Sequence, residues 1–376
     1  MATELSNQLE EMVVEEKISV ASQWQLMWWR FRRHRLAGVA GIVLVLIYGI
    51  GLFAEFISPY DPNAVSNLHV YVPPQVPRFC GPDGFTLRPF VYGLERHRDP
   101  ETRRVTYKRD RSTQYPLKFF VRGTPYRMWG IFKSDLHLFG TADPKQKVFI
   151  LGSDRLGRDM FSRIVYGARV STSIGLVGVF ISVILGITIG GISGYYGGVI
   201  DSLVQRIIEF LRSIPTIPLW MGLSAALPMH WSPLKVYFGV VVILSLVGWT
   251  GLAREVRSKF ISLREEDFVM AAKLVGATER RIIFRHMLPS FLSHIIASLT
   301  LAIPGMILGE TSLSFLGLGL RPPAISWGVL LKEAQNVSTV ALAPWLLLPG
   351  VAVIVTVLMF NFLGDGLRDA ADPYGR

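Results

Sequence analysis

The sequence predicts an all-α polytopic membrane protein with six transmembrane helices and a β-containing extracytoplasmic insertion between helices 1 and 2. Three observations predict it. Half of the 376 residues are hydrophobic and 18% are charged, below the roughly 25% of an ordinary soluble domain. The apolar residues come in blocks as long as a bilayer is thick instead of being spread periodically. The net charge of +11 is gathered between those blocks, as it is where Lys and Arg mark cytoplasmic loops. That interruption also argues against a nucleic-acid partner. One cysteine, Cys80, excludes an intrachain disulfide and a cysteine metal cluster.

Residues 1–35 form a polar, then amphipathic segment containing Trp24, Trp28 and Trp29, closed by Arg30, Arg32, Arg33 and Arg35. The uncharged run Leu36–Ala54 follows, and transmembrane helix 1 is placed at 36–57. A basic flank with a tryptophan cluster anchors such a helix with its start in the cytoplasm. A signal peptide would have a shorter apolar core and a small-residue cleavage site; Glu55-Phe56-Ile57-Ser58-Pro59 supplies neither. Residues 58–150, the insertion, are rich in Pro, Gly, Arg and aromatics and hold no spanning run. Val105–Lys108 and Leu117–Arg122 read as short strands. The insertion's basic charge is compatible with an outside location, because long domains translocate largely regardless of charge.

The core domain, 151–376, carries helices 2–6. Val170–Ser193 is the second span. Gly186, Gly190, Gly194 and Gly198 sit four apart and share one helix face. The first three are assigned to close helix packing in lipid and the last to a helix break. Ile207–Leu227, interrupted by Pro215 and Pro218, is the third span; Val236–Ala253, Phe291–Leu308 and Leu342–Leu363 are the fourth to sixth. Counted from a cytoplasmic start, six crossings leave the C-terminus and the loop 254–289 in the cytoplasm. That loop holds Arg254, Arg257, Lys259, Arg264, Lys273, Arg280, Arg281 and Arg285, the charge bias expected of the inner side.

Within this loop, Glu265–Asp267 place negative charge at a helix start and Gly276 supplies a left-handed residue at its end. Thr278 is positioned to cap a second short helix, with Arg281 and Arg285 one turn apart. Ala271 and Ala272 leave room for a partner surface. Ala271, Ala272, Gly276, Leu288 and Pro289 resemble, at matching spacing, the Glu-Ala-Ala, Gly, Leu-Pro pattern of type I ABC importer permeases. Met270 stands where that pattern has glutamate. Leu151–Asp159 with Tyr166–Arg169, and Gly309–Gly319 with Pro322, Trp327 and Gly328, narrow the similarity to the oligopeptide/dipeptide/nickel branch, of the DppC/OppC-like type. It covers residues 30–57 and 148–376.

The resemblance implies the type I ABC importer permease fold. It also implies a coupling site of Ala271, Ala272, Gly276, Ala277, Arg281, Leu288 and Pro289 that docks on an ATP-hydrolysing subunit. The implied partners are a second permease forming a heterodimer, two ATPases, an extracytoplasmic solute-binding protein and membrane lipid, in a cell inner membrane. The chain itself is not expected to be an enzyme. It has no Gly-x-x-x-x-Gly-Lys-Ser/Thr loop to cradle phosphates and no His-Glu-x-x-His. No cofactor is expected in it, with ATP and magnesium held by the partner ATPases.

Glu310, flanked by the hydroxyls of Thr311 and Ser312, is an ionisable group at the end of the fifth span. Glu310 faces the translocation path or its gate, or else caps a helix end at the interface. Arg206 and Glu209 are a turn apart and able to pair. An ion-coupled secondary transporter would instead show inverted repeats and midplane carboxylate pairs. A membrane-anchored receptor acting through 58–150 would leave the loop at 265–289 dispensable.

Overall fold

The computed structural model describes residues 23–371, apart from 82–83, 99, 102–104, 142 and 144–145. Residues 1–22 of the expected amphipathic segment lie outside the described residues. From there α1 (Gln23–Arg33) leads into α2 (Arg35–Leu52), whose start is capped by the His34 ring accepting from the Ala37 N–H. A short α3 (Ala54–Ile57) ends helix 1. The chain then enters an antiparallel sheet of order β1 (Arg78–Gly81), β2 (Gly84–Arg98), β3 (Val105–Met128) and β4 (Phe132–Thr141). The two short strands expected at 105–108 and 117–122 are parts of one 24-residue strand, β3. Ladder irregularities between Tyr92 and Gly93, and between Arg122 and Tyr126, bend the hairpins without ending them. Val91, Leu117 and Val148 form a small core for the insertion.

The helical core begins with α4 (Met160–Tyr196), capped by the Asp159 side chain on Ser162. It starts ten residues before the expected span. Arg163 and Arg169 excluded those residues from an apolar window, yet both arginines are partnered within the protein. Gly197 and Gly198, at φ 69° and 56°, break the helix as expected. The third span is not one helix: α5 (Gly198–Ser213) and α6 (Thr216–Ala225) meet at Ile214-Pro215. Proline offers no N–H and pushes the residue before it out of the helical region; Ile214 has φ −88° and ψ 130°. Then come α7 (Pro233–Leu263), α8 (Asp267–Leu274) and α9 (Leu292–Phe315). The short α10 (Trp327–Leu331) and α11 (Val337–Leu342) precede α12 (Leu348–Ala371). Five helices among the described residues are long and apolar enough to cross a membrane: α2, α4, α7, α9 and the 28-residue stretch ending in α12.

Contacts fix how these helices run. Along α4, Gly178, Gly186, Gly190 and Gly194 meet Ser245, Leu252, Ala253 and Arg257 of α7 in the same order, so α4 and α7 are parallel. Parallel neighbours in sequence require a return between them, and α5–α6 supplies it. Helix α9 is antiparallel to α4, with Gly175 against Ile307 and Ser171 against Glu310. Helices α2 and α12 are antiparallel, with Gly41 near Leu363 and Gly366 near Ala37. One pole of the bundle therefore collects the start of α2, the ends of α4, α7 and α12, and α8. The other collects the end of α2, the insertion, the start of α4 and residues 316–347.

Candidate functional site

At the first pole, α8 is a compact helix with a closed end. The Ala277 N–H donates to the Ala272 carbonyl and the Gly276 N–H to the Lys273 carbonyl, both at 3.0 Å. With Gly276 at φ 75°, this is a Schellman motif, which satisfies the last carbonyls and turns the chain sharply. Val269 is fully buried and Ala272 and Ala277 pack beside it, on a core of Val256, Phe260, Ile282 and Met287. The opposite face is apolar and bare. Leu274 and Val275 are 87% and 85% exposed, and Phe268 and Met270 of the same helix are exposed as well, with the exposed Asp267 at its start.

The second short helix takes a different form. Glu279–Arg281 begin as α, Ile282–Met287 form a π-helix, and Leu288–Ser290 return to α. The Leu288 N–H bonds the Ile283 carbonyl five residues back. Pro289 accounts for this, since its ring would strike the carbonyl four residues earlier in an α-register. The π-turn also displaces Arg285 from the face of Arg281 expected for an α-helix. Thr278 sits at the N-cap position, but its side chain makes no cap hydrogen bond, contrary to expectation. Arg281 and Pro289 are exposed, and Leu288 is half-buried. Arg206 and Glu209 do pair, at 3.0 Å on the surface.

Gly186, Gly190 and Gly194 form the contact with α7. A Cβ on Gly190 would lie 2.4 Å from the Ala253 carbonyl oxygen; one on Gly194 would lie 2.6 Å from that of Arg257.

Glu310 is 0% exposed. It faces neither open space nor a helix end. Its carboxylate accepts from Ser171 (3.1 Å), Ser314 (2.8 Å) and Ser326 (2.6 Å), joining α4, α9 and the start of α10. Ser171 Oγ in turn accepts the Trp327 N–H, and Gly328 packs on the Thr311 backbone. Thr311 is buried beside the node and Ser312 half-buried. Composition alone could not reveal Ser171 and Ser326 as partners; the visible signal is a Ser-Thr-Ser run, 171–173, inside an apolar helix. Removing the acceptor strands three buried hydroxyls, each costing about 1–3 kcal/mol if unpaired. Glu310→Ala is therefore expected to lower the thermal midpoint of the purified protein well below that of Glu310→Gln, which keeps an acceptor oxygen. Equal midpoints would remove the node from the fold's stability.

At the second pole, the segment 151–159 is a second polar cluster. The fully buried Asp154 accepts from the Leu156 and Arg158 N–H groups and from Arg158 Nε at 2.6 Å, with Arg163 Nε at 3.6 Å. Arg158 also reaches Glu333 at 2.9 Å. Ser153 and Trp345 tie the same turn to Val72 and to the approach to α12. Gly157, at φ 69°, could not carry a side chain, because its Cβ would fall 2.0 Å from the Ser66 carbonyl.

Burial pushes the Asp159 carboxyl up from 3.8 to about 6, and hydrogen bonds from Ser162 oppose it. The folded value lies above the unfolded one, so the proton stabilises the folded state. That contribution is fully present below pH 3.8 and is lost as pH rises through about 6. Asp159→Asn keeps an acceptor for the Ser162 cap and should flatten this part of the stability–pH curve. The check is a set of thermal midpoints across that window for both proteins; parallel curves would refute it. Glu333 is shifted the same way, by burial and then by Asp154, which is why the difference between the two proteins is the quantity to read.

A cavity of about 370 Å³ lies between α4, α7, α9 and α12, bordered by Ser182, Glu255, His294, Ser298 and Arg368. Ser298 donates to Glu255 at 2.8 Å, and His294 lies 3.8 Å from the same carboxylate. Among the described residues no group of three or more His, Cys, Asp and Glu is placed to hold a metal ion.

Residues 186–374 match the family described as "Binding-protein-dependent transport system inner membrane component", and residues 22–74 match the "N-terminal TM domain of oligopeptide transport permease C". The dipeptide transport system permease protein DppC of Alkalihalophilus pseudofirmus is 43% identical over 59% of this chain and 71% of that protein. The oligopeptide transport system permease protein OppC of Haemophilus influenzae is 38% identical over 65% of this chain and 76% of that protein. A chain of the inward-facing MetNI methionine ABC transporter superposes with a TM-score of 0.44 at 19% identity, over 57% of this chain and 98% of that one. The chain belongs to the binding-protein-dependent transport system inner membrane components, the membrane-spanning permeases of ABC transporters, which are separate from the ATPase.

Proposed function

We propose that this permease forms half of the translocation pathway of a peptide importer, with α8 as its contact to an ATPase. The exposed apolar cap around Gly276 carries this reading. Leu274 and Val275 are bare on a rigid turn whose other face is locked into the bundle, so a push on the turn moves α7 and α9 with it. The solute class follows from the DppC and OppC relatives. Delivery falls to an extracytoplasmic binding protein, and ATP and magnesium sit on two ATPase subunits. A second, sister permease completes the path.

Six crossings follow if α5–α6 passes through the bilayer as a broken helix, and the parallel packing of α4 and α7 supports that. The pole holding α8 is then cytoplasmic, together with both termini, and the insertion is extracytoplasmic. The positive charge around α8 favours this orientation. Glu310 acts on the path at a distance, by holding α4, α9 and α10 together where a gate would pivot. The cavity bordered by Glu255 and His294 lies on the α8 side and provides polar groups for a peptide in transit. Co-purification with mass spectrometry tests the assembly: an ATPase, a second permease and a binding protein carrying a peptide are expected. Recovery of the chain without an ATPase would overturn the proposal.

A further inference from the structure

The β3–β4 hairpin does not end in polar residues. Its tip, Met128–Phe132, holds Trp129, Ile131 and Phe132, which are 44%, 73% and 59% exposed. It also leans on the end of a membrane helix. The Trp129 indole N–H donates to the Leu52 carbonyl at 2.8 Å, and its ring lies 5.9 Å from that of Phe53. Leu52 is the last residue of α2, so this bond sets the tip at the depth where α2 leaves the hydrocarbon.

Two features identify what covers it. The outward face of α2, through Val39, Ile42, Leu46 and Phe53, is apolar and exposed, as a lipid-facing helix must be. That stripe runs without a break onto the hairpin tip. Just behind the tip, Arg127 and Lys133 sit directly opposite one another across the ladder, and both are exposed. Like charges in that position destabilise a sheet, and among the described residues neither has a carboxylate within salt-bridge distance. Phosphate headgroups would neutralise both. An apolar, tryptophan-bearing tip with a basic collar matches the membrane–water interface.

We propose that the hairpin tip is seated in the interfacial layer of the bilayer beside α2, and that it anchors the insertion to the lipid surface. The anchor rests on α2 being a membrane span and not on which side the insertion lies. It gives the 58–150 segment a fixed height and orientation relative to the bundle.

The test is spin-label depth measurement on the full-length chain in vesicles of phosphatidylethanolamine and phosphatidylglycerol. Cys80→Ser provides the background. Single labels go on Ile131→Cys, on Ile42→Cys as the lipid control, and on Leu87→Cys, 88% exposed on β2, as the water control. The label at 131 is expected to collide more with oxygen than with a water-soluble nickel chelate, as the label at 42 does, while 87 shows the reverse. Adding Trp129→Ala should move the 131 label toward the aqueous pattern. Collisions at 131 like those at 87, or protection from both reagents, would overturn the anchor; protection from both would mean that another protein subunit covers the tip. An aqueous pattern at 42 would instead overturn α2 as a span, and the anchor with it.

Discussion

Gly190→Ala should destabilise this protein, while Gly251→Ala, in the helix it packs against, should stabilise it. Both glycines are helical, so replacing either with alanine removes the same backbone entropy and gains about 0.5–1 kcal/mol in a free helix. Their surroundings then decide the sign. Nothing lies within 4 Å of a Cβ on Gly251. At Gly190 the new atom meets the Ala253 carbonyl oxygen at 2.4 Å and its Cα at 2.8 Å. Those are backbone atoms, so the contact can be relieved only by separating α4 from α7. Overpacking of this kind costs about 1–3 kcal/mol even where side chains can adjust, and Gly190→Val should prevent accumulation of folded protein.

Gly186 provides the internal contrast. Its obstacle is the Leu252 side chain, with Cβ and Cδ2 both at 3.0 Å, so Leu252→Ala should rescue Gly186→Ala only in part, by removing the contacts beyond Cβ. No substitution of Ala253 should rescue Gly190→Ala, because the clash is with main chain. Thermal unfolding of the purified variants reads all of these. A Gly190→Ala protein as stable as the parent would mean that α4 and α7 are not held at this distance.

The same glycines mark what is legible in the amino-acid sequence on its own. A four-residue spacing is a statement about one helix face, and a face without side chains has few uses in a bilayer, so Gly186, Gly190 and Gly194 announce a helix contact. The loop around Gly276 is legible for a similar reason: a helix start, a left-handed stop and a proline lie within one short stretch. Features whose partners are remote along the chain are not legible. Arg163 and Arg169 resemble the outside of a span because a hydropathy window registers charge and cannot register Asp154 or Glu55 opposite. Glu310 resembles a path residue because an isolated carboxylate at membrane depth has no evident partner. Its hydroxyl donors are Ser171, Ser314 and Ser326, and the farthest is 139 residues away. The break at Ile214-Pro215 is visible as a proline, but a kink and a full interruption look the same in a string of residues.

Substitutions in the α8 turn are expected to abolish ATP-driven uptake while leaving the bundle folded. Gly276 has no neighbour within 4 Å of a would-be Cβ, yet its φ of 75° strains any L side chain. Gly276→Ala therefore costs about 1 kcal/mol through backbone strain alone. Gly276→Arg adds a bulky charge beside the bare Leu274 and Val275, where the proposed ATPase contact must close. Loss of a central contact is worth about 2 kcal/mol or more, roughly a thirtyfold loss of affinity. Ala272→Asp acts from the other face. It puts a carboxylate beside Val269 and Ile282, and its helix position is C3 of the Schellman turn, so the turn itself loosens. Gly276→Arg should thus co-purify poorly with the ATPase with little change in thermal midpoint, whereas Ala272→Asp should lower both. Solute accumulation in vesicles, measured beside the midpoint, separates the two effects. If Gly276→Arg keeps full accumulation and full ATPase association, the apolar cap is not the surface through which force enters the membrane helices.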